Sequence, residues 1–217
     1  MNWEWIQKTE EFLKKTYDTG TFLRENPAQR AYRLEHSYRV ANIAGHIARR
    51  EGFDETLAVM AGLLHDVGYG TDWASEEMWK EHGRIGAAMA RPFLVELGLD
   101  NKAVNDICYG IAIHVDDVAD FDWVRSPFCE TVGDADNLDR FDAYRIYETL
   151  QTQGFSTLCL EEKRELVSTM LEKLCRLKGI PLGTSTATTM WLQRLEDYTA
   201  FYQKLERQLE ASGGILP

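Results

Sequence analysis

Residues 61–68 read AGLLHDVG, and this stretch decides how the rest of the chain is read. An apolar run through Ala61 and Leu64 ends on two adjacent polar residues, His65 and Asp66, and then meets Gly68 and Gly70. That is how a buried helix stops: the apolar spacing continues to its last turn, and glycines break it. His65 continues the face of Leu57, Ala61 and Leu64, so its ring is carried inward, where an unpartnered polar group is costly.

Outward from this stretch the same three- and four-residue apolar spacing recurs, and no sustained run alternates apolar with polar as a half-buried strand does. The spacing predicts helices over 3–17, 28–51, 54–67, 75–98, 101–116, 127–151, 160–178 and 187–211, separated at Asn26-Pro27, Gly52, Gly68 to Gly70, Gly98, Gly154 and Gly179 to Gly183. Pro92 falls inside one of them and is expected to kink it, because it removes a ladder hydrogen bond. The fold class is therefore all-α. The expected architecture is one domain over 1–217, a helical bundle with a core at about 30–145 and a C-terminal helical extension at about 146–217. The last helix carries Trp191, Leu195, Tyr198, Tyr202, Leu205 and Leu209 on one stripe, expected to dock on the core, with a homodimer seam as the other reading.

Four of the five histidines lie on inward stripes. His36 shares its stripe with Val40, Ile43, Ala44 and Ile47; His82 heads the face of Ile85, Met89 and Phe93; His114 closes the face of Val104, Ile107 and Ile111. Asp136 follows Phe128 and Val132 at a four-residue step. Inward imidazoles and carboxylates on facing helices are how bundles build metal sites, and this donor set suits Fe, Mn, Zn, Co or Ni, with Mg also admitted. His46 shares a face with Arg39, Asn42, Arg49 and Arg50, a solvated stripe, and stays outside the site. Asp134 is balanced between orienting a ligand and facing solvent; Asp139 is read as solvent-facing.

Composition bounds the partners. A net charge of −11 argues against stable nucleic-acid binding, which draws on Lys and Arg to neutralise phosphates, and leaves a small phosphorylated substrate. No apolar run is long enough to span a membrane, and no basic segment followed by an apolar one opens the chain, so neither membrane nor secretion is expected. Cys108, Cys129, Cys159 and Cys175 form no CxxC pair and read as reduced thiols in a cytoplasmic protein.

The order His36, His65-Asp66, Asp136, embedded in EHSYRVANIA, AGLLHDVG and VGDADNLDRFD, resembles the HD-domain superfamily of metal-dependent phosphohydrolases over about residues 30–145. HGRIGA at 82–87 and IAIHVD at 111–116 resemble the two further histidine motifs of branches that bind two metals. The resemblance implies one or two divalent ions: His36, His65, Asp66 and Asp136 around the first, and Asp66 bridging to a second held by His82 and His114. It also makes Asp66, His82 and His114 the catalytic set. VGYGTDW follows the His-Asp pair, without the acidic pair of the alarmone-hydrolysing branch or the Gly-Tyr-Pro motif of cyclic-dinucleotide phosphodiesterases.

The implied chemistry is attack of a metal-activated hydroxide on a phosphoester or phosphoanhydride. Arg33, one turn before His36, and Arg84, just after His82, are the candidate substrate contacts. Asp72 and Asp116 are the candidates for a general acid. Two other readings of the same residues are a catalytically silent nucleotide-binding sensor and a di-iron oxygenase.

Overall fold

The structure, a computed structural model, describes residues 1–72 and 78–215. Ten α-helices and no strands are found among the described residues. They are α1 (Trp3–Thr19), α2 (Thr21–Glu25), α3 (Pro27–Glu51), α4 (Glu55–Leu64), α5 (Met78–Glu96), α6 (Asn101–Ile113), α7 (Pro127–Asp139), α8 (Ala143–Thr152), α9 (Leu160–Leu177) and α10 (Ser185–Ala211). A 3₁₀ turn, Val67–Gly70, follows α4. The all-α expectation holds, and no helix among the described residues is long and apolar enough to cross a membrane.

Helix starts follow from side chains that accept the first unpaired amides. Asn2 accepts from the Trp5 amide at 3.2 Å, Asp54 from Leu57 at 3.1 Å and Asp100 from Ala103 at 2.8 Å. Asp142 does the same for Ala143 at 2.7 Å. That cap divides the helix expected over 127–151 into α7 and α8, because an extended residue with an acceptor side chain starts a new helix in place of continuing the old one. The helix expected over 54–67 likewise ends at Leu64, and α2 was not foreseen in the sequence at all. The start expected at 75 lies outside the described residues, while α5 runs through Pro92.

The chain folds as two compact units. The first comprises Met1–Asp139 with Leu182–Ala187, and the second Arg140–Pro181 with Thr188–Pro217. In the first, α3 packs on α4 and α7, α6 on α5 and α7, and α1 covers α4. Leu13, Tyr17, Met60, Leu64, Leu94, Ile107 and Ile111 are fully or almost fully buried in it. At the α3–α4 contact the backbones nearly touch: a Cβ on Gly62 would lie 2.7 Å from the Ala41 Cα. This close approach sets the middle of α3, which carries His36, against the C-terminal end of α4, just past which His65 follows.

In the second unit the α10 stripe is buried within its own chain. Trp191, Leu195, Tyr198, Tyr202 and Leu209 are buried, Phe141 meets the Trp191 ring edge-on at 4.9 Å, and the Trp191 indole donates to the Leu177 carbonyl at 3.1 Å.

Candidate metal centre

Six side chains from α3, α4 and the turn that follows it, α5, α6 and α7 meet in the first unit. His36, His65, Asp66, His82 and Asp136 are all buried, and His114 is nearly so. The ligating atoms of His36, His65 and Asp66 lie within 4.8 Å of one another, and so do those of Asp66, His82 and His114. Asp66 belongs to both groups. Asp136 Oδ1 lies 3.1 Å from His36 Nε2 and adds a second carboxylate to the first group. His46, half-buried, belongs to neither.

How two of the rings are held follows from where their helices end. His65 and His114 are the cap residues just past α4 and α6, where the last carbonyls have no amide left to accept from. The rings supply it. His65 Nδ1 donates to the Gly62 carbonyl at 2.8 Å and His114 Nδ1 to that of Ile111 at 2.7 Å. His82 Nδ1 donates to the Trp79 carbonyl. A carbonyl only accepts, so each Nδ1 carries a proton, and in the neutral ring each Nε2 presents a lone pair.

These tips converge. His65 Nε2 lies 3.2 Å from His36 Nε2, and His82 Nε2 lies 3.1 Å from His114 Nε2. Asp66 Oδ1 is 3.2 Å from His82 Nε2, 3.6 Å from His65 Nε2 and 3.7 Å from His114 Nε2. At the His82–His114 pair two imidazole Nε2 atoms and a carboxylate oxygen crowd together in a buried space, an arrangement that a cation accommodates when the rings are neutral. The donors therefore fit a metal, by geometry and by chemistry: imidazole and carboxylate, with the Nδ1 atoms of all four rings and Oδ2 of Asp66 already committed.

The electrostatics of the first group agree. Burial opposes charge on His36, but hydrogen bonds to Asp136 and Asp139, with Asp66 close by, outweigh it and lift its pKa to about 9. Burial pushes fully enclosed His65 down to about 4. Burial also works against ionised Asp66, yet His65, His114, His82 and Arg33 hold its carboxyl well below the usual carboxylate range. In the metal-free protein a proton on His36 thus stands where a cation is called for, between His36 Nε2 and the neighbouring lone pair and carboxylate.

Of the expected substrate contacts, Arg33 reaches the centre. Its Nη1 donates to Asp66 Oδ2 at 2.8 Å, and its guanidinium lies 3.6 Å from the centroid of the Tyr69 ring, itself packed on His82 at 4.6 Å. Arg84 is taken up by carboxylates: it donates to both oxygens of Asp116 at 2.7 and 3.0 Å, with Glu81 and Asp120 nearby. Asp116 is thereby engaged, and Asp72 accepts from the Thr21 amide at 2.8 Å. Asp134 turns to the Gly183 amide at 3.0 Å, and its burial pushes it up to about 7.

Asp139 is not solvent-facing, as the sequence suggested. It is buried, accepts from His36 Nδ1 at 2.7 Å and is clamped by Arg39 at 2.7 and 3.2 Å. Arg39, assigned to a solvated stripe, is half-buried by the same contact. The signal was present as spacing: Asp139 follows Asp136 by three residues, and Arg39 follows His36 by three, so each pair shares a helix face. Tyr17, whose hydroxyl donates to the Asp66 carbonyl at 3.1 Å, left no such trace.

Known proteins resemble this chain over nearly all or part of its length. Ribonuclease Y of Symbiobacterium thermophilum is 27% identical over 188 residues, covering 84% of this chain and 33% of that protein. Ribonuclease Y of Thermus thermophilus is 47% identical over 60 residues, 28% of this chain and 10% of that protein. The chain thus spans a third or less of the length of these curated relatives. A crystal structure of a predicted HD superfamily hydrolase from an uncultured Thermotogales bacterium shares the fold, with a TM-score of 0.59 at 23% identity, covering 96% of this chain and 92% of that one. The HD domain family model matches residues 33–144, more than half of the chain and the span that supplies every histidine and aspartate of the centre; the chain belongs to the HD domain family.

Proposed function

We propose that this HD-family hydrolase is a metal-dependent phosphohydrolase that cleaves a phosphoester or phosphoanhydride bond in a small nucleotide or related phosphorylated metabolite. The observation that carries the reading is the pairing of imidazole tips, His36 with His65 and His82 with His114, about a shared Asp66. His36, His65, Asp66 and Asp136 would hold one ion, and Asp66, His82 and His114 a second, of Fe, Mn, Zn, Co, Ni or Mg. A bound divalent ion supplies a water of lowered pKa as nucleophile and polarises a phosphoryl oxygen. Asp66, with His82 and His114, would position that chemistry; Arg33, its guanidinium over the Tyr69 ring and one N–H on Asp66, would donate from its other N–H groups to a phosphoryl oxygen. Arg84, already paired with Asp116, is the weaker candidate.

A second reading, cleavage of a phosphodiester in RNA, is favoured by the name of the curated relatives and opposed by the net charge of −11. A cytoplasmic location belongs to the same proposal, on the strength of the free, buried thiols of Cys108 and Cys129.

The test is metal content and phosphoesterase activity, measured side by side on the wild type and on His65→Ala/Asp66→Ala. The expected outcome is one or two ions per chain and turnover of a generic phosphodiester, both lost in the variant. Metal content and hydrolysis that survive the double substitution would overturn it. Activity on oligoribonucleotides but on no mononucleotide would select the RNA reading, and oxygen uptake by an iron-loaded protein would select an oxygenase.

A further inference from the structure

The two halves of the centre are not built alike, and the difference lies behind one histidine. His65, His82 and His114 each direct Nδ1 at a neutral backbone carbonyl. His36 directs Nδ1 at a carboxylate, that of Asp139. A carboxylate behind an imidazole fixes its tautomer and makes the opposite nitrogen a better donor to a cation. We propose that Asp139 is a positioning residue that makes the halves unequal, so that the first ion enters the group of His36, His65, Asp66 and Asp136. The inference rests on the reading of this cluster as a metal centre.

Asp139 cannot easily turn away from this task. It is 3% exposed, and Arg39 grips both of its oxygens. Asp139 lies one turn beyond Asp136 on α7, and Arg39 one turn beyond His36 on α3. One packing contact between α3 and α7 therefore sets the ligand pair, at 3.1 Å, and the pair behind it together. The charges point the same way. Asp66 and Asp136 both face the first group, with Asp139 behind it offset by Arg39, whereas the His82–His114 group has Asp66, which it shares. A divalent ion meets more negative charge and a more basic imidazole in the first group.

The test is a stepwise Zn²⁺ titration of the chelator-stripped full-length chain against a competing chelating dye. Wild type is expected to bind in two steps, and His82→Ala to keep the tighter step and lose the weaker one. Asp139→Asn, which keeps the shape and removes the charge, should weaken the tighter step by about 10–100-fold and leave the weaker one nearly unchanged. Asp139→Glu should recover part of the loss, which a merely structural clamp would not predict.

The proposal fails if Asp139→Asn leaves the tighter step within about twofold, or weakens both steps equally. It also fails if His82→Ala removes the tighter step. Should Asp139→Asn not fold, as judged by circular dichroism of the metal-free protein, Arg39→Gln carries the test. Selective weakening of the tighter step supports the proposal, and an unchanged titration overturns it. If the wild type binds no Zn²⁺, the metal reading falls and this inference with it; binding that Asp139→Asn leaves intact overturns the Asp139 assignment alone.

Discussion

His36 and His65 touch tip to tip and yet titrate in opposite directions, one lifted to about 9 and the other pushed to about 4. Both have an ordinary value near 6.5 in the unfolded chain. His36 therefore stabilises the metal-free fold fully below that value, and this contribution is lost as pH rises through about 9. His65 must stay neutral inside, so its contribution is lost as pH falls from about 6.5 toward 4, where the unfolded chain binds the proton more readily. Urea denaturation of chelator-stripped protein is expected to show the pair's joint contribution greatest near pH 6.5, declining on both sides. His36→Gln should flatten the alkaline flank alone, and an alkaline flank identical to wild type would contradict the assignment.

Among the helices, the centre depends on where they end and how closely they approach. His65 and His114 sit one residue past α4 and α6, so the unpaired carbonyls of each helix orient the ring that the centre uses. Gly68 lets the turn after Asp66 lie on the start of α5: a Cβ there would fall 2.3 Å from the His82 carbonyl oxygen, a backbone atom that has no rotamer to change. Gly68→Ala is expected to cost about 1–3 kcal/mol, as overpacking does. Because the backbone displaced is that of His82, the His82–His114 group should lose its ion while the His36 group keeps its own. Calorimetry and metal analysis of that variant check both outcomes; an unchanged melting temperature would refute the first, and full stoichiometry the second.

At the scale of the molecule, the centre draws on α3, α5, α6, α7 and the end of α4, so an ion bound there is expected to stabilise the first unit as a whole. An ion present at a hundred times its dissociation constant adds about 2.7 kcal/mol by mass action. For a chain of this size that corresponds to a rise in melting temperature of about 5–10 °C. Removal of the ion by chelation should reverse the rise, and His65→Ala/Asp66→Ala should abolish the difference between loaded and stripped samples. An equal shift in wild type and double variant would locate the stabilising ion elsewhere.

The helical class and the members of the centre were legible in the sequence because both rest on local periodicity. A polar residue that interrupts an apolar stripe, as His36, His65, His82, His114 and Asp136 do, must be satisfied inside, and spacing alone reveals its direction. The division of 127–151 into α7 and α8 was also written locally, in Asp142, but a single capping side chain is a weak signal against a continuing apolar stripe. For Asp139 and Arg39 the spacing, three residues after a member of the centre in each case, was a hint too weak to decide. Each reads as an ordinary surface charge on its own helix, and only the packing of α3 against α7 turns them inward upon each other and upon His36. The same holds for Arg33 and Arg84, equal candidates by position. Tertiary structure sets one beside Asp66 and delivers the other to Asp116, because which carboxylate a flexible cation meets is decided by contacts between residues far apart in the chain.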